Sequence, residues 1–317
     1  MAVTLFSGFE VGANLPWVNY GTDIGANAWA PGGGLAADAS ARSVLDGALQ
    51  KLADDGVTLV RVFVLCDGRA GIQWQSNEIA AGFDAAVLVD LNVLLEAARR
   101  HGLRLILVLL DFGLALDAEV IGGVQIRGHC DSLRSAAGRD ALVDRVLRPI
   151  VQRFGQHESI FAWDLFNEPE WLIAREPWWK LARVPRRAMR VFLEQSAACV
   201  RAYSRQAMTV GSAHARRPEL VRGLDIDFYQ VHWYASFGWP ALLNGARAFG
   251  HDRPVLLGEC SGRDGTYAVK DVLSAAKQSG YASALLWSLL ANDDESSWPG
   301  ELISAFTQTQ HEPVQAD

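Results

Sequence analysis

Eight short apolar runs recur along the chain, and most are followed by a longer stretch whose apolar residues stand three or four apart. This alternation constrains the fold more than any other feature, because a β-rich run followed by an amphipathic helix is a βα unit. The runs are residues 9–14, 57–65, 103–111, 160–167, 207–212, 228–233, 254–259 and 282–287. Helical periodicity covers 41–54, 84–101, 140–154, 185–205, 241–249 and 267–279, with Gly56, Gly102, Gly250 and Gly280 placed as stop signals. The weakest helix is expected around 216–223, after the fifth run.

Several runs, LRLILVLL and TLVRVFVL among them, are apolar nearly throughout, which suits parallel strands covered on both faces. The pattern predicts an α/β protein, a (β/α)8 TIM barrel, with residues 1–317 as a single domain. Half of the residues are hydrophobic and 21% are charged, enough apolar side chain for one large core. An open doubly wound sheet is the alternative. The G-x-G-x-x-G turn of such sheets is missing after the first run, where the chain reads GANLPWVNYG.

In a barrel of this kind the loops after the strands line the site, so the strand ends are the residues to inspect. The second run carries Arg61, the third ends on Asp111 and the fourth on Asn167-Glu168. The sixth ends on His232, Trp233 and Tyr234, the seventh on Glu259, and the eighth contains Trp287. An apolar strand that finishes on an amide and a carboxylate is a buried strand emerging into a polar site.

Glu168 and Glu259 would face each other across the mouth. Glycoside hydrolysis needs such a pair, one carboxyl to protonate the leaving oxygen and one to attack or stabilise the sugar cation. Unlike surroundings must then keep one protonated and one ionised. Arg61 at the floor would hold Glu259 ionised, and Tyr234 would donate to the same carboxylate. Glu168 among aromatic walls would be raised by burial and remain the acid. A retaining geometry is expected, with the carboxyl groups about 5–5.5 Å apart.

WDLFNEPE on the fourth strand, VHWY on the sixth, LLGEC on the seventh and LLWS on the eighth appear in order and at barrel spacing. Together they resemble the clan A retaining glycoside hydrolases, most closely glycoside hydrolase family five, the cellulase and mannanase family. The resemblance spans nearly the whole chain. It implies that Glu168 is the acid/base and Glu259 the nucleophile, and that Asn167 bonds the substrate 2-hydroxyl. It also implies that Arg61, His232 and Tyr234 position the carboxylates and that Trp287 stacks under the sugar. Asp111 stands where many members carry a histidine, and the long loop 113–139, with its Gly122-Gly123, has no counterpart we can assign from sequence.

Sugars present C–H faces to aromatic rings, so the eleven tryptophans matter here. Trp287 and Trp233 are candidates by strand position. Trp17, Trp29, Trp74, Trp171, Trp178, Trp239 and Trp298 are loop candidates, whereas Trp163 is expected in the core. Cys260 beside Glu259 has no base placed to activate it and is expected to be an inert buried thiol. Asp293-Asp294-Glu295 could touch sugar hydroxyls, with a solvated loop as the default reading.

Other classes fit less well. The seven histidines form no H-x-H or H-E-x-x-H, and the four cysteines no C-x-x-C, so neither metal nor cofactor is expected. A net charge of -7 without a basic stripe argues against nucleic acid. No run of about 18 apolar residues suggests a membrane span, and no obligate protein partner is implied. A carbohydrate substrate is expected instead, with a transglycosylase or a non-catalytic sugar-binding barrel as alternatives. The start has no export signal, which favours the cytoplasm, or secretion if a signal has been removed.

Overall fold

The structure, a computed structural model, describes residues 5–75, 78–173, 183–216, 218–250 and 252–311. In chain order its strands are β1 (Glu10–Asn14), β2 (Leu59–Phe63), β3 (Ile72–Trp74), β4 (Ala80–Phe83), β5 (Arg104–Val108), β6 (Glu119–Ile121), β7 (Val124–Ile126), β8 (Ile160–Asn167), β9 (Ala207–Ser212), β10 (Tyr229–His232), β11 (Val255–Ser261) and β12 (Ser283–Trp287). Eight of them close into a barrel in the order β1-β12-β11-β10-β9-β8-β5-β2, every pair parallel. Each of the eight predicted runs supplies one barrel strand, so the (β/α)8 TIM barrel is the fold.

The helices outside it follow the expected periodicity: Ala39–Asp54, Ala86–Arg100, Arg186–Tyr203, Trp239–Ala248 and Val269–Gln278. The first shows how sequence sets the ends. Asp38 caps it by accepting from the Ser40 and Ala41 amides, and Gly56, at φ 82°, ends it with its amide on Ala53 and the Val57 amide on Leu52. The helix expected at 140–154 begins earlier, at Ala136, and widens over Leu142–Leu147 before Arg148–Phe154. Pro149 has no N–H to give to the preceding turn, which accounts for the wider stretch there.

Three features depart from expectation. After β9 the predicted helix at 216–223 is only a 3-10 turn, Pro218–Leu220, since a few residues between Pro218 and Gly223 cannot pay for helix nucleation. Two β-hairpins, β3–β4 and β6–β7, project from the loops after β2 and β5. A further helix, Gly300–His311, follows the last strand.

Inside the barrel the side chains form layers. Leu59, Ile106, Ala162, Ala207, Phe228, Leu256 and Leu285 make an apolar floor, closed from below by Phe6 against Phe161 and Phe228. Above it lies a polar layer of Asn14, Arg61, Asp164 and Gln230, all 0% exposed. Gly211 makes room for that layer, because a Cβ there would sit 2.9 Å from the Arg61 guanidinium and 2.8 Å from the Gln230 amide. The helices pack on the outer face of the strands and bury most of the remaining core. Among the described residues no helix is long and apolar enough to cross a membrane.

Candidate active site

The buried Arg61 organises everything above it. Its Nε donates to Asp164 at 3.0 Å, its Nη1 to Glu259 Oε1 at 2.5 Å and its Nη2 to Asn167 Oδ1 at 2.7 Å. A buried guanidinium requires this degree of pairing, since an unpaired charge costs several kcal/mol there. Asp164 is held in turn by Gln230 at 2.8 Å and by the Gly211 amide at 2.9 Å. Asn167 uses its other end to donate to Asp111 at 2.8 Å, so both faces of the amide are fixed. Asp111 lies beyond the end of β5 and joins β8 through a single bridge to Asn167.

Glu168 follows β8 at φ 50°, in the left-handed region that a residue with a side chain seldom adopts. Its own amide donates to Gly211 at 2.7 Å and its carbonyl accepts from Trp171 at 3.2 Å, which hold the turn. Strain of this kind at a cleft points to function. The carboxyl group meets His232 Nδ1 at 2.7 Å and accepts from the Trp171 indole at 2.6 Å. The same His232 nitrogen is 3.4 Å from Glu259, whose Oε2 accepts from the Tyr234 hydroxyl at 2.9 Å. Oxygens of the two glutamates and the imidazole nitrogen all lie within 4.8 Å of one another.

These surroundings separate the two carboxyls. Burial pushes Glu168 up to about 7, opposed by the Trp171 hydrogen bond and the more distant charge of Arg61. Burial raises Glu259 as well, against the pull of His232, Arg61 and the Tyr234 hydroxyl. Arg61 was expected to hold Glu259 ionised outright, whereas here the guanidinium offsets a desolvation that works the other way. Of the pair, Glu259 alone touches a guanidinium. Burial lowers His232 to about 4, so near neutral pH it bridges the pair as an uncharged imidazole. Asp111 is raised by burial to about 7, and Tyr234 is likewise pushed well up.

Above these groups opens a cavity of about 520 Å³ lined by Trp17, Tyr20, Phe63, Cys66, Asp111, Phe112, Asn167, Glu168, Tyr234, Glu259, Trp287 and the acidic loop Asp293-Asp294-Glu295. Among the residues singled out from sequence, Trp17, Asp111, Asn167, Glu168, Tyr234, Glu259 and Trp287 therefore meet on one surface. Arg61 and His232 lie directly behind it.

Trp233 is the exception. Its indole turns away, donates to the Gly238 carbonyl at 3.0 Å and packs beside Trp239 and Tyr267. Alternation explains this: if His232 and Tyr234 face the site, the residue between them faces outward. Among the other tryptophans, Trp163 is wholly buried, as expected, and Trp171 touches Glu168. Trp298 donates to Asp55, and Trp178 lies outside the described residues. The Cys260 thiol is fully buried and raised by burial, an inert group.

Sequence reasoning missed Asp164, Asn14, Tyr20 and Phe63. A charged residue in the middle of the apolar run IFAWDLF was the available signal for Asp164, since a buried carboxylate demands a cation. The acidic loop was read as solvated, yet Asp293 accepts from the Trp287 indole at 2.9 Å and fixes the ring at the cavity edge.

No family model matches the chain. Over 97% of its length it is 22% identical to a mannan endo-1,4-beta-mannosidase from Mytilus edulis, covering 90% of that protein. It is 24% identical to one from Cryptopygus antarcticus, over 90% of this chain and 81% of the relative. Among solved structures, an endo-1,4-beta-mannanase from Eisenia fetida superposes with a TM-score of 0.76 at 20% identity, covering 98% of this chain and 93% of the other. The fold is that of these barrel enzymes. The resemblance to the clan A retaining enzymes, most like family five, is borne out by these relatives.

Proposed function

We propose that the chain is a retaining endo-β-1,4-mannanase, residues 1–317 forming one catalytic barrel, with Glu168 as acid/base and Glu259 as nucleophile. The observation that carries this reading is the close approach of the two carboxyl groups, whose nearest oxygens fall within 4.8 Å. Retaining enzymes hold the pair about 5–5.5 Å apart, whereas inverting enzymes leave about 6.5–9.5 Å for a water. Mannan as the substrate class rests on the names of the full-length relatives.

Each neighbour then has a task. Glu259, ion-paired with Arg61, attacks the anomeric carbon while Glu168 gives its proton to the departing glycosidic oxygen, so the C–O bond breaks and a glycosyl ester forms. Glu168, now ionised, takes a proton from water, which attacks the same carbon and frees Glu259. Burial keeps Glu168 protonated up to about pH 7, as the first step requires. After transfer, hydrogen bonds from neutral His232 and the Trp171 indole stabilise the Glu168 carboxylate. Tyr234 positions Glu259, and Asn167, held by Arg61 and Asp111, directs its remaining amide hydrogen at the 2-hydroxyl. Trp287 and Trp17 supply flat apolar faces for the sugar ring.

The test is hydrolysis of a panel of β-1,4-mannans, β-1,4-glucans and aryl β-glycosides by the parent, Glu168→Gln and Glu259→Gln. Loss in both variants with mannan preferred is the expected result; full turnover by Glu259→Gln would sink the assignment. Including an acceptor sugar separates hydrolysis from transglycosylation, and sugar binding by a parent that turns nothing over would mark a non-catalytic barrel.

One observation favours a second reading, a metal-dependent hydrolase: Glu168, His232 and Glu259 offer ligand atoms close enough to hold an ion. The Arg61 guanidinium, 2.5 Å from Glu259, places a fixed positive charge beside that position and opposes a divalent cation. Activity unchanged after exhaustive chelation is expected; loss restored by a metal would favour the second reading.

A further inference from the structure

Resting on the glycan reading above, we infer that Trp29 and the tip of the β6–β7 hairpin form a distal binding platform for the part of a β-linked glycan that leaves the cavity past Trp17 and Tyr20. A run of edge-on ring contacts and a guanidinium connects the two places. Trp287 lies 5.9 Å from Trp17, Trp17 lies 4.6 Å from Tyr20, and the Arg69 guanidinium sits 4.4 Å over the Tyr20 ring and 5.9 Å over Trp29. The first three rings line the cavity. Trp29 lies beyond it and is 41% exposed.

The platform is rigid where it needs to be. Arg69 makes two bonds to the buried Asp67, at 2.9 and 2.7 Å. Asn27 locks Trp29 to the same group, accepting from the Trp29 amide at 2.9 Å and donating to the Arg69 carbonyl at 3.1 Å. The hairpin is tied in as well, through the Arg127 amide on the Asp67 carbonyl. At its tip, Gly122 and Gly123 take φ 53° and 81°, the tight turn that two positive angles allow. A Cβ at Gly122 would stand 3.0 Å from the Trp29 indole nitrogen, so the ring rests edge-on against bare backbone.

On the same hairpin Val120 and Ile121 are 67% and 46% exposed, and as neighbours in a strand they face opposite sides. The exposed Trp29 ring, held by these supports, offers an apolar surface next to the cavity. Continuity with the cavity selects the occupant, since the next units of one chain reach Trp29 along the Tyr20–Arg69 ledge. Exposed indole suits the C–H face of a sugar, and the guanidinium edge suits its hydroxyls.

The test is kcat/KM for β-1,4-manno-oligosaccharides of increasing length and for mannan, in the parent, Trp29→Ala and Trp29→Phe. The readout is the ratio of the longest to the shortest substrate cleaved. Trp29→Ala is expected to lower that ratio about two- to tenfold, through KM, and Trp29→Phe to restore most of it. An unchanged ratio in Trp29→Ala overturns the platform, as does an equal loss on every substrate, which would mean a structural role. No turnover by the parent on any member overturns the underlying glycan reading, and the platform with it.

Discussion

Arg61 holds Nη1 2.5 Å from Oε1 of Glu259, in an ion pair whose side chains are 0% and 6% exposed. The same guanidinium lies 2.9 Å from Asp164, so one cation serves two buried carboxylates.

Arg61→Met should therefore be severe. It leaves Asp164 and Glu259 buried beside each other without a counter-charge, and breaking such a pair costs about 3–5 kcal/mol. Urea unfolding should show a loss of that size, and a variant within about 1 kcal/mol of the parent would contradict the role given to Arg61.

Tyr234→Phe removes one hydrogen bond to Glu259, the proposed nucleophile, and little else. A bond to a charged group contributes about 1.5–3 kcal/mol, so kcat should fall roughly ten- to a hundredfold with the fold intact. Unaltered kcat would mean that the hydroxyl does not position Glu259 in the reaction.

The pH profile should report Glu168. With that carboxyl raised to about 7, kcat/KM should decline as pH rises through that region, because the acid loses its proton. The Trp171 indole favours the ionised form, so Trp171→Phe should move the decline to higher pH. A shift in the opposite direction would mean that another group sets the limb.

Glu170 tests linkage beside the carboxyl pair: burial raises it, and the charge of Glu168, two residues earlier, adds to the same upward push. It is 1% exposed, accepts from the Ala213 amide at 3.1 Å and is pushed by burial up to about 7. A folded-state value above the unfolded one means that the folded protein binds the extra proton. The resulting stability is complete below the ordinary carboxyl range and is lost as pH rises through about 7. Relative to Glu170→Gln, the parent should thus weaken between about pH 5 and pH 8. Urea midpoints measured at both pH values check this, and a constant gap would refute it.

The sequence disclosed the barrel because its strands are buried on both faces and read as unbroken apolar runs, and because Gly56, Gly102, Gly250 and Gly280 mark helix ends, all four at positive φ. The hairpins stayed hidden: three-residue strands such as β6 and β7 leave no period to detect. Within the site, residues at strand ends were legible through topology, since a polar group there has few other places to go. Trp233 was misplaced because strand position was used without the two-residue alternation that turns it outward. Asp293 and Tyr20 come from loops: Tyr20 is placed by the distant Arg69, and Asp293 by a bend that brings it back to Trp287 six residues earlier, which no periodic pattern announces.

The central claim is a carboxylate pair set for retention. The most direct measurement is proton NMR of the newly formed reducing end released from a β-1,4-manno-oligosaccharide whose own reducing end has been reduced to the alditol, before the anomers equilibrate. The account predicts the β-anomer as the initial product, with the α-anomer appearing only later by mutarotation; initial release of the α-anomer would contradict it.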